Sequence, residues 1–178
     1  LFQHFPRLRL ADEVADRARF FHWELVYADI FTTNDGFDLL LGNPPWQKVE
    51  WKDADLLAEK NPIASIRASV DIDLDNIRNT LLNDRTLEKQ YLLELENAVA
   101  TRGFLTSRTN YPYLKSAKAN LYKCFITRSW DILNAKGNAG LLHPENAYED
   151  PDGQLLRSAI YPRLITHFQF QNEQKFFP

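Results

Sequence analysis

The clearest pattern along the chain is a short apolar run, Phe37-Asp38-Leu39-Leu40-Leu41, set between Asp35-Gly36 and Gly42-Asn43. It carries one acid and no helical spacing, which predicts a strand covered on both faces, as in a parallel sheet. A second run of this kind, Ala139 to Leu142, follows the helix-stop turn Ala135-Lys136-Gly137-Asn138. Ahead of that turn, Asn120 opens a helix through about Leu133, with Leu121, Cys124, Phe125, Ser129 and Ile132 on one face. Asp71 to about Val99 reads as one long helix or two in tandem. Leu74, Ile77, Leu81 and Leu82 keep helical spacing, as do Leu92, Leu95 and Val99, while Asp84, Arg85, Glu88 and Lys89 form a solvated face.

The flanks are less regular. Ala11 to Arg19 is charged and helix-compatible, with Asp12 as N-cap, and Phe20 to Leu25 fits a strand or a packed loop. Val26 to Phe31 predicts a strand end followed by the acid Asp29. Arg102 to Lys118 reads as a loop packed by Tyr111 and Tyr113, or else as a basic–aromatic surface that touches phosphate through Arg108, Lys115 and Lys118. Pro151-Asp152-Gly153 leads into a helix through Tyr161, and Ile165 to Gln171 alternates as a strand. Short buried strands interleaved with helices make this an α/β chain.

The turn after the first strand, Gly42-Asn43-Pro44-Pro45-Trp46, carries the distinctive chemistry. Each proline fixes φ near −65° and lacks an N–H, and Pro45 pushes Pro44 towards an extended conformation. The Pro44 carbonyl is thereby held outward, beside the side-chain carbonyl of Asn43 and the face of Trp46. Two fixed acceptors and an aromatic platform suit a planar group that carries an NH2. An amine conjugated to a ring is a poor nucleophile. Acceptors on both of its N–H bonds aim the lone pair by preorganisation, with no general base.

Asn-Pro-Pro-Trp after an apolar strand resembles motif IV of the S-adenosylmethionine-dependent amino-methyltransferases, and more narrowly the Eco57I-like adenine-N6 DNA methyltransferases. These occur in fused restriction–modification enzymes and phage-defence systems. Phe20-Phe21-His22-Trp23-Glu24-Leu25 and Leu141-Leu142-His143-Pro144-Glu145 resemble the same family. The resemblance implies part of a Rossmann-like methyltransferase domain over 1–178, from motif III to about motif VIII, with a helical insertion over about 47–118. It implies that Asn43, Pro44, Pro45 and Trp46 are catalytic, with Asn43 and Pro44 on the target amine and Trp46 on the base. Asp29 and Ile30 match motif III, where an acid accepts the cofactor's adenine amine and an apolar residue packs on its ring. As a plain sequence feature, Asp29 is equally a solvated turn acid. Trp51 lies where the insertion covers the target pocket, or else packs. Phe177 falls near motif VIII, where an aromatic can sandwich an extruded base. A protein-glutamine or RNA amino-methyltransferase, or a catalytically silent docking module, would also fit the turn.

At 178 residues and 44% apolar, the chain can bury one domain's core. A net charge of −3 gives no overall footprint for nucleic acid, so DNA would be gripped through the parent protein. The single Cys124 is a core residue suited to a reducing, cytoplasmic compartment, and no apolar run has membrane-spanning length. No metal is expected. His22 has no second ligand at metal spacing and reads as a packed histidine, and His143 and Glu145 read as structural. One family part is missing. None of the six glycines, at 36, 42, 103, 137, 140 and 153, opens the Gly-x-Gly turn of motif I. With no Met and a start at Leu1, the chain reads as a piece of a longer protein whose upstream and downstream segments complete the domain.

Overall fold

Phe37–Gly42 forms the expected strand, β1, and it lies parallel to Leu133–Leu141, here β2. The computed structural model describes residues 3–52, 75–76, 78–80, 82–114 and 120–170. It divides into two units: Leu1–Gly42 with Arg128–Leu141, and Asn43–Thr127 with Leu142–Pro178.

In the first unit three helices precede β1: α1 (Pro6–Ala18), α2 (Trp23–Val26) and α3 (Ala28–Asn34). Helix α1 begins at Pro6 and not near Asp12. Proline at the first helical position has its φ preset and loses no helical hydrogen bond. The predicted strand over 26–31 is helical instead. Its aromatics fold onto Phe37: Trp23, Tyr27 and Phe31 meet that ring edge-on at centroid distances of 5.8, 5.3 and 5.7 Å. Two short helices joined at Tyr27 bring positions 23, 27 and 31 to one side, which a strand would not do. His22 is exposed, and its contribution is a backbone carbonyl accepting the Val26 N–H at 3.0 Å.

The ladder is regular at its carboxyl end, where Leu39 to Gly42 face Asn138 to Leu141. Towards its start the register breaks, because Phe37 faces Leu133. The predicted Gly turn is thus a bulge inside β2. Asp38, the lone acid of the apolar run, holds it by accepting from Asn134 Nδ2 at 2.7 Å and Asn34 Nδ2 at 3.1 Å. Those two amides keep its carboxyl below the ordinary range. Glycine is required here twice. A Cβ on Gly137 would stand 2.5 Å from the Phe37 carbonyl oxygen, and Gly36 has φ +131° with the Ile132 oxygen 2.7 Å from a Cβ. The sheet is not covered on both faces by the described residues, since Leu39 and Leu41 are 59% and 73% exposed.

The second unit contains α4 (Arg85–Leu105), most of α5 (Leu121–Ile132), α6 (Asn146–Glu149) and α7 (Gln154–Ile160). Residues 75–76 and 78–80 are helical and a turn intervenes before α4, so the long helical region runs in tandem pieces. Asp84 is the N-cap of α4, accepting from the Thr86 and Leu87 N–H groups at 2.7 and 3.4 Å. Leu74, Ile77, Leu81 and Lys115 to Lys118 lie outside the described residues. On α5, Tyr122, Lys123, Cys124, Ile126, Thr127, Ser129 and Ile132 are buried, so Cys124, Ser129 and Ile132 of the expected face lie inward, while Leu121 is half-buried and Phe125 is exposed. Leu156 of α7 is fully buried, and α7 packs on the 3-10 turn Pro112–Leu114 and on α6. Residues 165–170 are not a strand. Their polar alternation serves side-chain contacts: His167 lies 4.7 Å from the Tyr148 ring, and Gln169 donates to both Glu145 oxygens at 3.0 Å. Among the described residues no helix is long and apolar enough to cross a membrane.

Candidate functional site

In the parallel ladder Gly42 faces Leu141, so β1 and β2 finish side by side at their carboxyl ends. That edge is where open α/β sheets characteristically place ligand loops. From Gly42 the chain continues into Asn43-Pro44-Pro45-Trp46, and from Leu141 into Leu142-His143-Pro144-Glu145. Within the second unit these two segments meet: the Trp46 indole Nε1–H points to the Leu142 carbonyl at 3.4 Å. Pro44 is buried, whereas Asn43 and Pro45 are exposed and Trp46 is 52% exposed. Just beyond, the Gln47 carbonyl accepts the Leu121 N–H at 3.0 Å and Lys48 bridges Asn120 in antiparallel fashion. The proline pair is therefore followed at once by backbone tied to the start of α5. The turn offers solvent an amide acceptor and an aromatic face, on a backbone with little freedom.

The second loop is also fixed. The His143 ring lies parallel to the buried Tyr122 ring, 6° and 5.9 Å apart. His143 Nδ1 is 2.9 Å from the Pro144 oxygen, so Nδ1 carries the proton, because a carbonyl only accepts. Glu145 is engaged by Gln169. Both side chains are held in structural contacts.

Asp29 and Ile30 do not stand at a strand's end. They occupy the first turn of α3, a seven-residue helix, with Asp29 exposed and Ile30 half-buried. The Asp29 backbone carbonyl receives the hydroxyls of Thr32 and Thr33 at 3.1 and 2.7 Å. An acid in a first helical turn is favoured by the helix dipole, which explains its position without a ligand. The sequence has no Gly-x-Gly turn, and Asp29 sits in a first helical turn and not at a strand's carboxyl end. Trp51 meets the buried Tyr91 of α4 edge-on at 5.5 Å, as a packing residue does. Phe177 lies outside the described residues. Among the described residues no group of three or more His, Cys, Asp or Glu could hold a metal ion.

A concavity of about 410 Å³ lies within the second unit. It is lined by Lys48, Asn120, Tyr122, Lys123, Asn146, Glu149, Asp150, Pro151 and Asp152. Lys123 is buried and pairs with Asp150, whose carboxyl that lysine keeps below the ordinary range. Asp150 also accepts the Asp152 N–H at 3.0 Å, and its carbonyl receives the Arg157 guanidinium. Asn120 Oδ1 and the Tyr122 hydroxyl are buried without a hydrogen-bond partner among the described residues. Leaving such groups unmet costs about 1–3 kcal/mol each. Burial first, and the Asp150 charge second, push the Tyr122 hydroxyl up to about 12, so it stays a donor at neutral pH. Nothing in the sequence marked this pocket beyond the turn-forming Asp150-Pro151-Asp152-Gly153.

No family model matches this chain, and no curated protein and no solved structure matches it.

Proposed function

We propose that this chain is the catalytic-turn part of an amino-methyltransferase acting on the N6 amine of adenine in DNA, in a restriction–modification or phage-defence enzyme. The observation that carries the reading is the placement of Asn43-Pro44-Pro45-Trp46. This turn leaves the carboxyl end of a parallel strand with Asn43 and Trp46 open to solvent, Pro44 buried and the indole N–H turned to Leu142. Asn43 Oδ1 and the Pro44 carbonyl accept the two N–H bonds of the target amine and orient its lone pair. Trp46 stacks on the base, which returns about 1–3 kcal/mol towards taking it out of the duplex. S-adenosylmethionine is the methyl donor in this reading, and the parent protein holds it with parts beyond those described, which leaves this chain by itself unable to turn over. Asp29 and Ile30 keep their cofactor role on the strength of the sequence resemblance alone.

The test is transfer of labelled methyl groups by the full-length parent to DNA, RNA and protein in parallel. Label in DNA, recovered as N6-methyladenine, is the expected result. Label confined to protein glutamine or RNA would move the same turn to another amine. Absence of label in all three would leave only a docking role.

A further inference from the structure

Trp46 stands on a turn whose backbone is restricted by two prolines, but prolines do not fix a neighbouring ring. The indole is 52% exposed. Its N–H lies in the ring plane, so the bond from Nε1 to the Leu142 carbonyl at 3.4 Å sets the angle at which the ring faces solvent. A bond of that length constrains the ring only while its acceptor stays in place. The orientation of Trp46 therefore depends on how firmly the Leu142 peptide is held.

The next residue holds it. The His143 ring lies within 6° of parallel to Tyr122, a fully buried side chain, with centroids 5.9 Å apart, and it meets the Tyr148 ring at 5.7 Å. His143 Nδ1–H donates to the Pro144 carbonyl at 2.9 Å, which ties the ring to its own loop. Two residues further on, Gln169 braces Glu145 at 3.0 Å. All of these residues belong to the second unit, so the path from buried Tyr122 through His143 and Leu142 to the indole is continuous within it.

We propose that His143 is a positioning residue: by anchoring Leu142 to Pro144 on Tyr122, it fixes the plane of Trp46. The consequence for catalysis rests on the methyl-transfer reading, in which the plane of Trp46 sets how a stacked base presents its amine to Asn43 and Pro44. A base on a turned ring still binds, since stacking depends on area, but its amine is displaced. Displacement by about 1 Å at a reacting centre costs on the order of a hundredfold in rate.

The experiment has two parts. In this chain the four tryptophans give four indole N–H signals in a nitrogen–proton correlation spectrum, and the Trp46 signal is the one that Trp46→Phe removes. His143→Ala should move that signal and speed its exchange with solvent, leaving those of Trp23, Trp51 and Trp130 in place. Where alanine unfolds the chain, His143→Phe keeps a ring on Tyr122, loses the Pro144 bond and should move the same signal by less. In the full-length parent, His143→Ala and Trp46→Phe should each lower kcat by about tenfold to a hundredfold with KM little changed. The double variant should be no slower than Trp46→Phe alone, because both changes remove one constraint. A Trp46 signal unmoved in a folded His143 variant would overturn the proposal. So would movement of all four signals, or losses that multiply in the double variant. A parent that methylates nothing would overturn the methyl-transfer reading instead, and the indole signals of this chain then decide the positioning by themselves.

Discussion

Asn43 and Trp46 are exposed side chains on a turn with two successive prolines, and each is expected to matter in a different way. In the proposed function Asn43 supplies one of two acceptors for an amine, so its effect would belong to the chemical step. Trp46 would supply area and stacking. Trp46→Ala in the parent protein should weaken binding of the target strand by roughly 1–3 kcal/mol, about five- to more than a hundredfold, measured by equilibrium binding to a DNA carrying the target adenine. The indole contact to Leu142 is long at 3.4 Å, so Trp46→Phe should retain most of that binding. Cys124 behaves differently from either. Burial pushes its thiol up to about 11, so the native chain should resist iodoacetamide at pH 8 and react only after unfolding. Alkylation of the folded chain at the rate of a free thiol would show that α5 is less enclosed than described.

Elements carry the next set of expectations. The β1–β2 pair depends on a bulge that only glycine fits at 137, where a Cβ would press on the Phe37 carbonyl, and the bulge is tied down by Asp38. Gly137→Ala should therefore cost more than the ordinary glycine-to-alanine change and lower the thermal midpoint, whereas Gly103→Ala, with open space at its Cβ on α4, should raise stability slightly. Comparing the two melting curves separates steric from entropic effects. In the second unit Leu156→Ala, at a fully buried position, should cost about 2–5 kcal/mol by denaturant titration.

What was legible in the sequence divides along the same lines. The apolar run 37–41 announced β1 because a strand of that composition has few other uses, and its parallel partner followed from the second run before His143. The region 26–31 misled because its apolar and aromatic residues fit a strand as well as a short amphipathic helix. Packing of Trp23, Tyr27 and Phe31 on Phe37 decides for the helix, and that is a tertiary effect. The alternation over 165–170 misled for a related reason: period two marks a strand only when another strand is there to pair. Asp84 looked like one more charge on a solvated face and is a cap. Tyr122, Lys123 and Asp150 carried no local signal, since a lysine on a helix is ordinarily exposed.

At the scale of the whole molecule, charge and function meet in the response to pH. Hydrogen bonding from Lys123 holds the Asp150 carboxyl below its ordinary value, so the folded state keeps this proton off more readily than the unfolded chain. The resulting stability is present above the unfolded carboxylate value of about 4 and is lost as pH falls through the lower folded value. Asp150→Asn should be less stable at pH 7 than the parent sequence and should lose less on acidification to pH 3, measured by denaturant midpoints across that interval. Equal acid sensitivity in both would mean that the buried pair contributes nothing net.

The central claim is that the Asn-Pro-Pro-Trp turn polarises an amine for methylation, and one comparison tests it most directly. Full-length parent protein and its Asn43→Ala variant are given labelled S-adenosylmethionine and adenine-containing DNA, and the label in DNA is counted. The account predicts clear transfer by the first and a loss on the order of a hundredfold or more in the second, as for removal of one preorganised hydrogen-bonding group at a reacting centre. Equal transfer by both proteins would contradict it.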